Sequence, residues 1–341
     1  MNIAIVNDSP LAIEALRRAL AFSPEHTILW TAGNGAEAVA LCAQMTPDLV
    51  LMDLIMPGMD GVEATRRIMA GSPCAIVVVT ASIGANSWRV FEAMGHGALD
   101  AAETPEFGVG DGRAAAAMLL RKIDTIGKLI GDRRPRASRA GATRKVSGAR
   151  LIAIGASSGG PTALAKLLGG LPADLEAAIV IVQHIDPQFA AGMADWLGQY
   201  SPWPVRLACE GDRPVPGTVL LAGSGDHLVL KAADRLGYTG EPAELVHRPS
   251  VDVFFDSINR HWAGEVYGVL LTGMGRDGAA ALKALRDKGH YTVAQDEASS
   301  AVYGMPKAAA ELQAAVEVLP LEDIAPRLMA LVAGKDWKGK R

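Results

Sequence analysis

The stretch Leu151-Ile152-Ala153-Ile154-Gly155-Ala156-Ser157-Ser158-Gly159-Gly160 runs an apolar strand into a turn of small residues and glycines, and a helix is expected to open at Pro161. A parallel strand delivers its carboxyl end to the crevice where α/β proteins bind ligands, and glycines let the backbone approach a reacting group. Ser157 at such an edge reads as the candidate nucleophile of a serine hydrolase. The same residues also admit a plain helix-capping serine.

Outward from this turn the same grammar repeats. Downstream, apolar strand runs fall at 151–155, 178–183, 266–271, 292–295 and about 315–319, with a β-rich insertion over about 205–231. Upstream, strands at 3–6, 28–32, 49–53, 75–80 and about 98–102 alternate with helical patterns at 11–21, 37–44, 62–70, 88–94 and 114–130. Alternating strands and helices imply parallel sheets with helices on both faces. The expected fold class is α/β, with two doubly wound parallel-sheet domains and no internal sequence repeat. Their expected limits are 1–130 and 150–341, joined by a linker over 131–149.

Composition agrees with two domains. The chain has 341 residues, half of them hydrophobic, enough for two buried cores. Residues 1–130 carry 9 basic and 14 acidic side chains, 131–150 carry 7 and 1, and the remainder 17 and 22, so two acidic bodies flank a basic connector. That connector, with Arg133, Arg134, Arg136, Arg139, Arg144 and Lys145 among Gly, Ala, Ser and Thr, has little to bury and reads as a flexible tether. Nothing in it suggests sequence-specific nucleic-acid binding. No run of eighteen apolar residues occurs and Met1-Asn2-Ile3 enters a strand directly, so a cytoplasmic protein without membrane insertion is expected. Cys42, Cys74 and Cys209 are odd in number and far apart in sequence, which suits reduced, partly buried thiols.

A serine nucleophile needs a general base in reach and an acid that orients it. His184 directly follows the strand run at 178–183 as Ser157 follows its own; His247, His261 and His290 are expected in a loop, late in a helix and before a strand. Asp277 lies in the glycine-rich turn Thr272-Gly273-Met274-Gly275-Arg276-Asp277-Gly278, while Asp226 and Asp296 also fall at loop edges and remain alternatives. Gly155-Ala156-Ser157-Ser158-Gly159 fits the Gly-x-Ser-x-Gly pattern, yet the favoured order here is Ser, His, Asp rather than the Ser, acid, His of α/β-hydrolases. A dinucleotide reading is weaker, because the glycines miss the Gly-x-Gly-x-x-Gly spacing.

In the first domain, Asp8 follows the first strand, Asp53 ends the third and Thr80 ends the fourth. Carboxylates meeting at one sheet edge suit a hard cation and a phosphoryl group, and an aspartate there can itself accept phosphate.

The wording Asn7-Asp8-Ser9, Met52-Asp53-Leu54-Ile55-Met56-Pro57, Val79-Thr80-Ala81 and Gly97-Ala98 resembles the receiver domain of two-component response regulators. The resemblance implies that Asp53 is the phosphoacceptor, that Asp8, Asp53 and the Ile55 carbonyl bind Mg²⁺, and that Thr80 is the switch hydroxyl. Two positions depart from it. Asn7 replaces a second acidic residue and Thr104 replaces a lysine, with no lysine before Lys122. A lost charge-assisted contact of about 1.5–3 kcal/mol is smaller than the roughly 5.5 kcal/mol that swings a switch fully, so a weakened switch is expected rather than a dead one. Met56 and Met59 read as packing residues.

The segments around Ser157, Gln183-His184-Ile185, His247-Arg248-Pro249-Ser250-Val251-Asp252-Val253, Thr272 to Gly278 and Gln295-Asp296-Glu297 resemble, in order, the catalytic domain of CheB, the chemotaxis protein-glutamate methylesterase and glutaminase. The resemblance implies Ser157 as nucleophile, His184 as general base and acid and Asp277 as orienting carboxylate. It further implies an oxyanion hole from the amides near Ser158 and Met274, with the Ser158 hydroxyl supporting His184. Its substrate would be glutamyl methyl esters, or glutamines, on the cytoplasmic domain of a methyl-accepting chemoreceptor. A histidine kinase of CheA type would phosphorylate Asp53 and lift a receiver cover from Ser157. No cofactor beyond Mg²⁺ is implied, and a monomer is expected. His247 and Arg248 read either as substrate-binding residues or as a structural pairing with Asp252 or another acid. Asn7 and Thr104, with the wording around them, resemble the CheB-like methylesterase of the Wsp surface-sensing system. Two rivals stay beside this reading: a regulatory adaptor with little turnover, and a lipase-like esterase on small esters.

Overall fold

The computed structural model describes residues 1–81, 83–107, 112–130, 149–231 and 234–334. They fall into two units, Met1–Arg133 and Arg134–Arg341. The basic tether expected at 131–149 lies, apart from Ala149, outside the described residues.

In the first unit, short aliphatic runs form β1 (Asn2–Val6), β2 (Thr27–Ala32), β3 (Leu49–Met52), β4 (Ala75–Thr80) and β5 (Asp100–Glu103). They alternate with α1 (Pro10–Leu20), α2 (Gly35–Gln44), α3 (Gly61–Gly71), α4 (Ile83–Gly95) and α5 (Gly112–Ile130). The strands pair in parallel in the order β2-β1-β3-β4-β5. Ile3 to Val6 and Leu49 to Met52 are fully buried, because helices cover both faces of such a sheet. Ser9, Asn34 and Asp60 cap α1, α2 and α3 by accepting from the amides of Ala12, Glu37 and Glu63. The strand order reverses between β1 and β3, so the loops after them flank the switch-point crevice.

The second unit opens with β6 (Arg150–Ala156), α6 (Gly160–Gly169), β7 (Ala178–Gln183) and α7 (Pro187–Leu197). After β8 (Val205–Leu207) and β9 (Val219–Leu221) come the hairpin strands β10 (His227–Lys231) and β11 (Arg235–Thr239), then α8 (Val251–His261). The chain continues through β12 (Glu265–Leu270), α9 (Ala279–Asp287), β13 (Tyr291–Gln295), α10 (Met305–Glu311), β14 (Glu317–Leu319) and α11 (Leu321–Val332). Seven strands form one parallel sheet in the order β14-β13-β12-β6-β7-β9-β8. The crossover from β6 leads to β7 on one side and β12 lies on the other, so this unit's switch point is at β6. Both units are doubly wound, as expected from the alternation.

The expected β-rich insertion is corrected in two ways. Its first strands, β8 and β9, extend the main sheet: Val219 to Leu221 are buried and pair in parallel with Ile179 to Ile181 of β7. Only β10 and β11 stand apart as an antiparallel pair, and they run on to Thr239. Three-residue strands carry too little alternation to announce the sheet they join.

The cysteine reading also needs amending. Cys42 is buried and Cys74 half-buried, but Cys209 is exposed, its amide donating to Asp212 Oδ2 at 2.8 Å in a turn. Cys42 and Cys74, distant in sequence, are neighbours, and the hydrogen bond that the Cys74 thiol donates to Cys42, together with burial, pushes the Cys74 thiol up. Among the described residues no helix is long and apolar enough to cross a membrane.

Candidate active site

Ser157 and His184 take the same step off neighbouring strands. Gly155 pairs with Val182 and Ala156 with Gln183, so the next register position sets Ser157 beside His184, and the His184 amide donates to the Ala156 carbonyl at 3.0 Å. Ser157 is 7% exposed. Its amide donates to the Thr272 carbonyl (3.1 Å) just beyond β12, which ties the turn to the third strand of the site.

The turn itself is not a cap. Helix α6 begins at Gly160, and its N-cap is Gly159 at φ 74° with no side-chain cap, so neither serine serves the helix that way. Gly159 supplies a left-handed conformation that lets the chain leave the strand sharply with Ser157 at the rim. Gly273 does related work from the opposite loop: a Cβ there would lie 2.7 Å from Ser157 Cβ and 2.4 Å from Met305 Sδ.

His184 Nε2 lies 2.7 Å from Asp277 Oδ2. Asp226 Oδ1 instead stands 3.9 Å from Arg248 Nη1, and Asp296 Oδ1 accepts from Ser299, so of the three candidate carboxylates Asp277 alone bonds His184. Asp277 sits at the amino end of α8. Its Oδ1 accepts from Ser250 Oγ (2.8 Å) and the Asp252 amide (3.1 Å), and its Oδ2 from the Val251 amide (2.6 Å). The first-turn amides of a helix favour an anion. Burial alone would raise the carboxyl, but the hydrogen bonds from His184, Val251 and Ser250 and the His184 charge outweigh it, holding Asp277 below the usual carboxylate range.

An ionised carboxylate accepts only, so His184 carries its proton on Nε2 and Nδ1 is the basic nitrogen. Nδ1 is buried without a hydrogen-bond partner. The expected support of His184 by the Ser158 hydroxyl is therefore absent, and the Ser157 hydroxyl is not bonded to it either; such bonds often tighten only around substrate.

Gln183, Thr272 and Gln295 brace the turn from beneath. Gln183 Nε2 donates to the Ser157 carbonyl (2.8 Å), Thr272 Oγ1 to the Ser158 carbonyl (3.0 Å), and Gln295 Oε1 accepts from the Thr272 amide (2.8 Å). Among the described residues no acceptor pairs with the amides of Ser158 or Met274. Two unengaged amides on loops flanking a nucleophile can receive an oxyanion.

The sequence reading missed the part played by Ser250, whose hydroxyl caps α8 and also reaches Asp277. The acid beside Arg248 is Asp226 rather than Asp252: Arg248 Nη1 lies 3.9 Å from Asp226 Oδ1 and its Nη2 donates to the Gly240 carbonyl at 2.7 Å, while Asp252 accepts from the Ala281 amide at 2.8 Å. His247 stacks on His184 with ring centroids 4.2 Å apart and planes 4° from parallel. A groove of about 1000 Å³ lined by Val229, Glu241, Asp252, Asp256 and Arg260 includes none of Ser157, His184 and Asp277.

In the first unit, Asp8 and Asp53 flank the crevice between β1 and β3. Burial raises the Asp53 carboxyl, the Leu54 and Ile55 amides lower it, and the Asp8 charge adds to the rise. Two carboxylates close enough to repel, with the Ile55 carbonyl nearby in sequence, are an oxygen set that suits Mg²⁺. Asn7 adds no charge, and its Oδ1 accepts from the Ser9 amide at 2.8 Å. Thr80 is buried at the end of β4, where its carbonyl accepts from the Thr104 amide at 3.0 Å. Lys122 does not replace the missing lysine: its ammonium is held by Asp100 Oδ1 and the Ala101 carbonyl, each at 2.7 Å, at the start of β5. Met56 is buried and Met59 half-buried.

Residues 152–328 match the family described as CheB methylesterase, and residues 3–103 match the response regulator receiver domain. The protein-glutamate methylesterase/protein-glutamine glutaminase 3 of Pseudomonas aeruginosa is 62% identical over 330 residues, covering 96% of this chain and 98% of its own. The corresponding enzyme 1 of Burkholderia lata is 62% identical over 333 residues, covering 97% and 99%. The crystal structure of the Thermotoga maritima CheB methylesterase catalytic domain aligns with a TM-score of 0.52 at 32% identity, covering 54% of this chain and all of that one.

Proposed function

The chain belongs to the CheB methylesterase family, and on that premise we propose that Ser157, His184 and Asp277 carry out its protein-glutamate methylesterase and protein-glutamine glutaminase reactions. The observation that carries the assignment of roles is the 2.7 Å bond between His184 Nε2 and Asp277, made beside Ser157 on the next strand.

Ser157 Oγ attacks the glutamyl carbonyl while His184 Nδ1 takes its proton. Asp277, fixed at the start of α8, stabilises the imidazolium in the plane of the ring. The negative oxygen of the tetrahedral intermediate is received by the amides of Ser158 and Met274. His184 then protonates the departing methoxide, methanol leaves, and Ser157 holds the acyl group. Water, deprotonated by His184, attacks the acyl carbon; the products are the glutamate carboxylate and free Ser157. With glutamine the leaving group is ammonia and every other step is the same. One oxyanion site thus serves both substrates.

The substrate we assign is the cytoplasmic domain of a methyl-accepting chemoreceptor. A protein substrate suits a nucleophile set at a sheet rim. The receiver domain supplies phosphorylation control. We assign Asp53 as phosphoacceptor, Thr80 as switch hydroxyl, and Asp8, Asp53 and the Ile55 carbonyl as the Mg²⁺ ligands. Mg²⁺ there would neutralise the clustered negative charge of carboxylate and phosphoryl oxygens. A CheA-type histidine kinase as donor and a Wsp-like surface-sensing role are parts of the same proposal, as are a cytoplasmic location and a monomeric state.

The test of the gate is methanol release from a methylated receptor fragment by the full chain, with and without Mg²⁺ and acetyl phosphate. Wild type is expected to accelerate with phosphodonor and Asp53→Asn to stay at its basal rate. Equal acceleration of both would remove Asp53 from the scheme.

A further inference from the structure

His184 is held on two sides by one short segment. Its edge meets Asp277, whose carboxylate is fixed by Ser250, Val251 and Asp252. Its face meets the His247 ring at 4.2 Å and 4°, a parallel stack. His247 and the residues that grip Asp277 lie within residues 247–252, which run into the first turn of α8. Only 7% of the His184 side chain is exposed. A ring so enclosed has little freedom to rotate about its own bonds, and the partner that fills the space above it decides its plane.

We propose that His247 is a positioning residue for the hydrolytic reaction, acting as a flat, uncharged platform that keeps His184 in the plane joining Asp277 to Ser157 while His184 carries the transferred proton. This rests on the reading of Ser157 and His184 as nucleophile and base.

The platform works because it stays neutral. Burial, and then the charge His184 acquires, push His247 down to about 4, against the opposing pull of Asp277. The groups facing or adjoining it are His184 from the end of β7, Asp277 from the turn after β12, Ser250 and Asp252 from the start of α8, and Arg248 on its own segment. Arg248 is directed to the Gly240 carbonyl and Asp226. The neutral imidazole presents an aromatic face to the imidazolium formed during acylation, an attractive contact. A second cation in the same place would oppose proton transfer to Nδ1.

The experiment compares full-length wild type, His247→Phe, His247→Leu, His247→Lys and Ser157→Ala in methanol release from a methylated receptor fragment, with kcat, KM and the acid limb of kcat/KM measured for each active form. Misplacing a catalytic ring by about 1 Å costs on the order of 100-fold, so His247→Leu, which fills the space without a flat face, should lose roughly 10- to 100-fold in kcat with KM within about twofold. His247→Phe restores a flat, non-titrating face and should stay within about threefold of wild type. His247→Lys should move the acid limb to lower pH, because a cation beside His184 disfavours the imidazolium. A Leu variant with wild-type kcat, a Phe variant as impaired as Leu, or an unmoved limb in the Lys variant would each overturn the platform. Ser157→Ala separates the two levels: residual wild-type turnover there overturns the nucleophile assignment itself, whatever His247 does.

Discussion

His184 and Asp277 are joined through Nε2 of the imidazole, 2.7 Å from Oδ2, and Nδ1 is therefore the basic atom of the ring. In the Ser-His-Asp template the acid holds Nδ1 and the serine faces Nε2. The reversal here follows from where the acid is kept. Asp277 is anchored at the amino end of α8 by Ser250, Val251 and Asp252, so His184, leaving β7, presents its distal nitrogen to the acid and keeps its proximal one buried without a hydrogen-bond partner.

That tautomer is open to measurement. In histidine-¹⁵N-labelled full-length protein at mildly alkaline pH, His184 should show a protonated Nε2 and an unprotonated Nδ1. Asp277→Asn should disturb this pattern and lower kcat by about 10⁴-fold, the size of effect that a wrong tautomer produces. An unprotonated Nε2 in wild type would contradict the arrangement.

Ser250 has two duties, so its loss should register twice. Ser250→Ala removes the acceptor for the Val253 amide and the donor to Asp277 Oδ1. Loss of an N-cap costs about 1 kcal/mol, visible as a lower urea midpoint with unchanged slope. The rate should fall as well, since Asp277 then keeps fewer of its donors. A stability loss with full activity would show that the cap alone matters.

The glycines of the Asp277 loop should separate cleanly. A Cβ at Gly273 meets Ser157 Cβ at 2.7 Å, whereas at Gly275, φ 84°, nothing lies within 4 Å. Gly273→Ala should depress kcat strongly by displacing Ser157. Gly275→Ala should cost only backbone strain of about 1–2 kcal/mol and leave kcat near wild type. Equal kcat in the two variants would contradict the proposed packing of Ser157.

In the receiver, Lys122→Ala should leave acetyl-phosphate labelling unchanged, because the Lys122 ammonium is spent on Asp100 and Ala101. Thr104→Lys should stabilise the phosphorylated form, since a charge-assisted contact is worth about 1.5–3 kcal/mol, or roughly ten- to a hundredfold. Phosphate-affinity gels read both. A loss of labelling in Lys122→Ala would assign that lysine to the phosphoryl site after all.

Stability should fall on acidification through buried histidines. His247 and His290 are each pushed down to about 4, by burial first, with His184 or Lys288 adding. Between the unfolded value of about 6.5 and the folded value the unfolded chain binds more protons, so stability is present above that window and is lost as pH falls through it. Replacing both with Phe and Gln respectively should flatten the decline between pH 6.5 and 4 in thermal midpoints. An unaltered slope would place the acid sensitivity elsewhere.

How far the sequence could be read is clear from particular residues. Ser157 and His184 were legible because each follows a continuous aliphatic strand, and the end of such a strand at a switch point is a place the topology dictates. Asp277 was legible as a candidate but not separable from Asp226 and Asp296, since only the approach of α8 selects it. The His247 stack could not be read, because contact across a fold between a loop residue and a strand-end residue leaves no periodic signal. The Cys42 and Cys74 neighbours escaped for the same reason. The stretch over about 205–231 was legible as β-rich, but three residues of pattern neither delimit β8 and β9 nor say which sheet they join.

The most direct test of the central claim is methanol release from a methylated chemoreceptor fragment, comparing full-length wild type with Ser157→Ala under phosphodonor. Wild type should release methanol and convert receptor glutamines to glutamates, a shift of about 1 Da per site by mass spectrometry, by the shared acyl route. The Ser157→Ala chain, folded by the same thermal midpoint, should do neither. Equal methanol release by the two proteins would contradict the assignment of Ser157 as nucleophile, and release by neither would return the second unit to the role of a binding adaptor.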